Sequence, residues 1–321
     1  MPAHPTARIH PQAKVHPSAD IGARTVVEAD VEIQQDARIR EDTIVRSGSC
    51  LRQGARVGAG CDIAAFYVGR DATLGDGVRL AAGSSIGDNA TLDDAVHLER
   101  KASVGRNATV RERTTLGPRT WVHAAATVGG SVTTGTDVRI AESVRVGDGT
   151  SFADEARVAP NALIGERTSV GRKVQIGMDA GVGIIPAATV GNDCTLGDGA
   201  YISGSADMKD GCTLEAGAHL EHGVVMAPGS TVCAGSRVHQ DGVVPEGETI
   251  PPSTLVRTDG TQVPRYTDID DYDFRDEDEH EILVQPDDEA YTQPDNPPRG
   301  PTPAAGAAKR AEALDRAGPA R

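Results

Sequence analysis

Residues 68–110 read VGRDAT, LGDGVR, LAAGSS, IGDNAT, LDDAVH, LERKAS, VGRNAT, V. Each block opens on an aliphatic residue, carries a small or β-branched residue at its fifth place, and fills the places between with Gly, Asp, Asn, Arg and other polar or small residues. A period of six is neither the 3.6 of an amphipathic helix nor the 2 of a flat strand, so each block is a short extended piece followed by a turn. Stacking such units buries the aliphatic openings in one continuous core, which predicts a parallel β-helix. The fifth residue and the next opening share a tapering corner, which explains why the fifth is small.

Outward from this stretch, the repeat begins at Ile9 (IHPQAK, VHPSAD, IGARTV) and keeps phase to Ile63. It loses one residue in IAAFY, runs from Val68 to Val182, takes in two extra residues in VGIIPAAT, and holds from Val190 to Val256. Of the 42 openings this reading gives, only Thr134 is polar, so composition bias is not the cause. The expectation is an all-β, single-stranded solenoid over residues 9–263, after a flexible 1–8. If three blocks make one coil, the blocks give about 14 triangular coils and, at roughly 4.8 Å each, a rod of about 65 Å.

Aromatic content of 3% is too low for conventional globular cores, whereas 37 glycines and many small aliphatics suit a narrow stack. The net charge of −15 argues against a nucleic-acid surface. The start MPAHPTARIH has no apolar stretch of a signal peptide and no run approaches a membrane span, which gives a cytoplasmic expectation with no membrane partner. Five cysteines without a regular framework fit a reducing compartment. Cys194 and Cys212, 18 apart, stack one coil above the other, within disulfide reach by Cα distance but with parallel side chains; two small core residues are the alternative to a bridge. Residues 264–321 are of another kind: Asp268 to Glu289 carry twelve acids against Arg275, followed by QPDNPPRGPTP. That composition predicts a largely disordered tail, with one short helix-forming piece at the end and HEILV (280–284) as an apolar island able to meet a partner.

The [Ile/Leu/Val]-Gly-x-x-[Ala/Ser/Thr/Val/Cys]-x blocks, over about three quarters of the chain, resemble the hexapeptide-repeat proteins. That resemblance implies a left-handed parallel β-helix, a homotrimer and, in the acyltransferases of the family, a histidine in the groove between subunits. The histidine acts as general base on a hydroxyl or amine, and the acyl group comes from a coenzyme A thioester or acyl carrier protein. The γ-class carbonic anhydrases share the fold and hold a metal across the trimer interface.

His123 stands at the second place of its block, where Gly is usual, and Trp121, the only tryptophan, is its outward neighbour. At plus 18, Trp121 meets Arg139, so His123 is the candidate base and Trp121 and Arg139 candidate substrate-binding residues; a subunit contact or a solvated edge would also account for them. His222 and His239 are the alternative bases, expected to lie close together because His239 minus 18 falls on Glu221. With His219 they form a weak metal candidate, since His and carboxylate suit zinc, but the γ-class trio of histidines is missing and solvated histidines are the plainer reading. His10 and His16 read as an N-terminal cap, and His4 and His280 as lying in flexible ends. No phosphate-binding loop or nucleophile elbow occurs. The small interruptions expected in the repeat offer no lid, so a non-catalytic trimeric scaffold whose acidic tail recruits a partner stands beside the acyltransferase reading.

Overall fold

The computed structural model describes residues 3–178 and 187–265. Forty-one two- or three-residue strands wind through three parallel sheets, which begin with Arg8–Ile9, Lys14–Val15 and Asp20–Ile21. They make thirteen complete coils and two sides of a fourteenth. Each block opening takes the inward place of its strand, and the aliphatic stack from Ile21 to Val256 forms one core. The second sheet ends in an antiparallel pair, Thr254–Val256 with Gln262–Pro264, turned at Gly260, where φ is 82°. That hairpin covers an edge that would otherwise be open to another strand.

Block chemistry maps directly onto coil geometry. At the second place a side chain would collide with the next coil: a Cβ on Gly105 would lie 2.6 Å from the backbone N of Ala124 and from the backbone C of His123. The fourth place is left-handed, φ 52° at Asp71 and 56° at Asn89, a conformation that Asn and Asp tolerate best after Gly. The fifth place is buried, and its hydroxyl or thiol donates to a carbonyl of the next coil, as Thr43 Oγ1 does to Gly58 O (2.9 Å) and Cys61 Sγ to Gly75 O (3.2 Å). Cys194 and Cys212 occupy that same place as buried free thiols, donating to Lys209 O and Ala227 O at 3.2 and 3.1 Å. Their role is that of the hydroxyls in the same column.

The ladder departs from its period twice. Leu51 pairs with Val68, 17 residues on, so the missing residue in IAAFY is real; Phe66 is 68% exposed there, while Tyr67 keeps the outward place of its strand opposite Ser85. Farther on, Leu163 pairs with Thr189, 26 residues away. That is eight residues beyond the usual 18, which corrects the expectation of two extra residues near 184–186. Val182 is not an opening. The sequence IGMDAGV has the spacing of a block; at Gly177 φ is 75°, and residues 179–186 lie outside the described ones.

Coil formation also starts earlier than Ile9: His4 N donates to Ile21 O (2.9 Å) and Thr6 N to His4 Nδ1 (3.2 Å). His10 and His16 accept from Gln12 N and Ser18 N in the same way, so a His-Pro turn stands at each corner of the first coil. His280, the acidic stretch, HEILV, the proline-rich run and the terminal helix lie outside the described residues.

Candidate functional site

Successive coils put residues 18 apart in columns on the outer faces. On the second sheet the column runs Tyr67, Ser85, Ser103, Trp121, Arg139, Arg157. Tyr67 and Trp121 are three coils apart, about 14 Å. The two serines between them are short, and the adjoining column there is Gly87 and Gly105, so a notch of about 460 Å³ opens between the two rings. Arg52, Arg106, Asp88 and His123 complete its walls.

Each ring is backed by a guanidinium. Arg52 Cζ lies 4.7 Å from the Tyr67 centroid, and Arg139 Cζ 5.9 Å from that of Trp121, distances at which a cation is drawn to a π-face. Trp121 remains 51% exposed, because Arg139 stands on the coil beyond it while small Ser103 stands on the coil before. The ring of His123 lies 6.0 Å from that of Trp121, inclined at 53°, and is exposed on the rim. Its backbone is fixed by donation to Ile140 O at 2.8 Å, and among the described residues no carboxylate forms an ion pair with its imidazole. Asp88 is already engaged: Oδ1 accepts from Arg70 N at 2.8 Å and is 3.9 Å from Arg52 Nη1. The corner expected from Trp121, His123 and Arg139 is therefore present. What sequence reasoning missed is its other half, Tyr67 and Arg52, although subtracting 18 three times from Trp121 lands on Tyr67 by way of two serines.

A second group sits higher on the same sheet. Tyr201, His219 and Arg237 form one column, with ring centroids of Tyr201 and His219 at 4.4 Å. Burial lowers the His219 pKa to about 4, with Arg237 and Arg265 adding to the effect and Glu221 opposing it. Glu221 is the hub of the next column: its carboxylate approaches Arg237 Nε at 2.9 Å and His239 Nε2 at 3.7 Å, and accepts from Gln240 N at 3.0 Å. His222 turns to the coil below, its ring nitrogens 3.1 and 3.2 Å from Ser205 Oγ. The 18-residue offset was read as bringing His222 and His239 together; the contacts seen are His239 with Glu221 and His222 with Ser205. Among the described residues no three or more His, Cys, Asp or Glu side chains converge as metal ligands would.

The family model of the GMPPB C-terminal domain matches residues 3–115, a little over a third of the sequence and the part with the notch's Arg52, Tyr67 and Ser103. The 18-residue ladder through three parallel sheets, built from six-residue blocks, makes the described chain a hexapeptide-repeat parallel β-solenoid. Solved structures similar to this hexapeptide-repeat chain include the UDP-N-acetylglucosamine acyltransferase of Arabidopsis, at 13% identity over 78% of this chain and 70% of that one, TM-score 0.33. A mutant of perosamine N-acetyltransferase from Caulobacter crescentus, in complex with CoA and GDP-perosamine, is 24% identical over 36% of this chain, TM-score 0.21. The match spans 47% of that enzyme's chain. The acetyltransferase domain of PglB from Neisseria gonorrhoeae, in complex with acetyl coenzyme A, is 24% identical over 44% of this chain and 54% of that one, TM-score 0.15. These are likenesses of fold alone. No curated protein matches the sequence. Among the described residues no helix is long and apolar enough to cross a membrane.

Proposed function

We propose that the chain is an acyltransferase-like enzyme whose working site is the notch between Tyr67 and Trp121. One observation carries this: His123, the only histidine among the described residues that line the notch, stands on its rim beside the Trp121–Arg139 stack, with the Tyr67–Arg52 stack at the notch's other end. The class of reaction comes from the hexapeptide-repeat resemblance. In this reading a coenzyme A thioester is the donor, its planar base resting on an aromatic ring and its phosphates on Arg52 and Arg106 or Arg139. His123 takes the proton of the acceptor hydroxyl or amine as its oxygen or nitrogen attacks the thioester carbonyl. The carbon–sulfur bond breaks when the tetrahedral adduct collapses, and the imidazolium returns the proton to the departing thiolate. A carboxylate to orient His123 would come from a neighbouring subunit, since a homotrimer places a second chain along the groove.

That no carboxylate among the described residues forms an ion pair with His123 also favours a second reading, a non-catalytic trimeric rod that binds partners at the notch or through the acidic tail. An acyl-transfer assay with acetyl coenzyme A and a panel of hydroxyl and amine acceptors separates the two. In the enzyme reading His123→Ala abolishes turnover without changing unfolding. Turnover that survives His123→Ala but not His239→Ala moves the base to the Glu221–His239 pair, and no turnover in the wild type with any acceptor favours the rod.

A further inference from the structure

Inside the solenoid the N–H of a fourth-place residue donates to the third-place carbonyl of the coil below, as Asp42 N does to Ala23 O (2.9 Å), Gly54 N to Gln35 O and Gly60 N to Glu41 O (both 3.0 Å). In the first coil the same donors belong to Thr6, Gln12 and Ser18, and among the described residues no coil lies below to accept from them. Each is met instead by the imidazole two residues before it: Thr6 N donates to His4 Nδ1, Gln12 N to His10 Nδ1 and Ser18 N to His16 Nδ1, all at 3.2 Å. Three histidines at the second place of three successive blocks thus stand in for three carbonyls. Two of these corners reach further. Thr6 Oγ1 and Ser18 Oγ lie 2.9 Å from the Nδ1 of His4 and His16, and the same hydroxyls accept from the second coil, from Arg24 N at 3.0 Å and from Asp36 N at 2.9 Å. The His10 corner has Gln12 in that place and no hydroxyl.

A ring nitrogen that accepts carries no hydrogen, so the neutral ring that fits each corner has its hydrogen on Nε2. We propose that His4, His10 and His16 form a proton-operated cap on the first coil. A proton taken up at Nδ1 turns the acceptor into a donor that faces a donor, orphans the amide two residues on, and loosens the first coil from the second. At His4 and His16 the protonated ring donates to the neighbouring hydroxyl, which keeps its bond from the second coil. Nothing replaces the lost acceptor at His10, so the Gln12 corner opens most. The charged groups around the cap are Arg24 above the His4 corner, held by Asp42, then Glu28 and Asp30 above His10, Asp36 above His16, and Arg8, Lys14, Asp20 and Glu32 on the strands between. Among the described residues none of them forms an ion pair with a ring of the cap, so the switch acts through the three hydrogen bonds. Its release uncovers the core at Val27 and Ile33, which Ile9 and Val15 of the first coil overlie.

The test is native-state amide exchange of the full-length protein at about pH 7.5 and about pH 5, a span that brackets imidazole titration, each rate divided by the intrinsic rate at that pH. The expected result is protection at Thr6, Gln12 and Ser18 that falls on acidification, by at least about tenfold at Gln12. Gly54 and Gly60, which donate to carbonyls from the same place of inner coils, should keep theirs. The variant His4→Asn, His10→Asn, His16→Asn puts a side-chain oxygen that does not titrate where each Nδ1 stood. Its protection at pH 7.5 should match the wild type, and the acid-induced loss should vanish. Nitrogen NMR of the rings gives a readout independent of exchange: at pH 7.5 the hydrogen should sit on Nε2 in all three. Rings that carry it on Nδ1 would overturn the proposal. So would protection at Gln12 that is absent at pH 7.5 or equal at both pH values, a fall shared equally by Gly54 and Gly60, or an acid-induced loss that persists in the Asn variant.

Discussion

Thr134 is the single polar opening, and the ladder is irregular around it. Elsewhere the residue after an opening donates its N–H to the carbonyl of the opening above, as Gly105 N does to Val122 O (2.7 Å). Gly117 N instead donates to the side chain of Thr134, at 2.8 Å from Oγ1, and the strands there share one register pair, Thr115 with Thr133, where most neighbouring strands share two. Thr134→Val keeps the shape and removes that acceptor. The buried amide of Gly117 is then orphaned, at about 1–3 kcal/mol. The added methyl, buried in the core, returns up to about 0.8 kcal/mol. Thr120 is less affected, because its Oγ1 loses the 3.0 Å contact with Thr134 but still donates to Gly135 O at 3.1 Å. The net expectation is a local loss of about 1–2 kcal/mol, which speeds native-state hydrogen exchange at Gly117 by roughly tenfold. Thr134→Ser, which keeps the hydroxyl, should leave that exchange nearly unchanged. Equal or slower exchange in Thr134→Val, with the coil reverting to the regular carbonyl acceptor, would refute the reasoning.

Two further perturbations follow from the coil geometry and from the buried histidine. Gly105→Ala drives a methyl to 2.6 Å from backbone atoms of His123 and Ala124, and should destabilise the chain by about 2–3 kcal/mol in denaturant unfolding. Gly60→Ala meets no atom within 4 Å and costs only its left-handed φ of 65°, about 1 kcal/mol, so the two glycines should differ clearly. For His219, the native pKa near 4 lies below the ordinary value of 6.5, so the unfolded chain takes up the proton first as pH falls. Its contribution to stability is intact above about 6.5 and is lost between there and about 4, and His219→Phe should flatten the acid limb in that window. An NMR titration of the His219 ring with a midpoint above 6 would contradict this.

Much of the fold was legible because inward and outward places differ in chemistry every six residues. The openings from Ile9 onward, the one-residue loss before Val68 and the end of the helix near Val256 were all visible as phase. The eight-residue insertion was not, because Gly177 to Val182 repeats the Gly, Asp and aliphatic spacing of a block, and periodicity alone counts such a stretch as one. At the site, one step of 18 joined Trp121 to Arg139, and His123 stood out by its second place beside them; another step set His239 over Glu221 and was read as bringing His239 close to His222. Tyr67 was hidden by the phase slip beside it and by the ordinary look of Ser85 and Ser103, whose importance is that they leave space. The direction of His222 depended on a turn side chain and was beyond column counting.

The notch is most directly tested by the melting temperature of the full-length protein against acetyl coenzyme A concentration. A ligand that binds only the native state raises Tm progressively with its concentration. The account predicts such a rise in the wild type and its loss in Arg52→Ala, Trp121→Ala, with the unliganded Tm of that variant close to wild type. No rise at millimolar acetyl coenzyme A, or a rise of equal size in the variant, would contradict it.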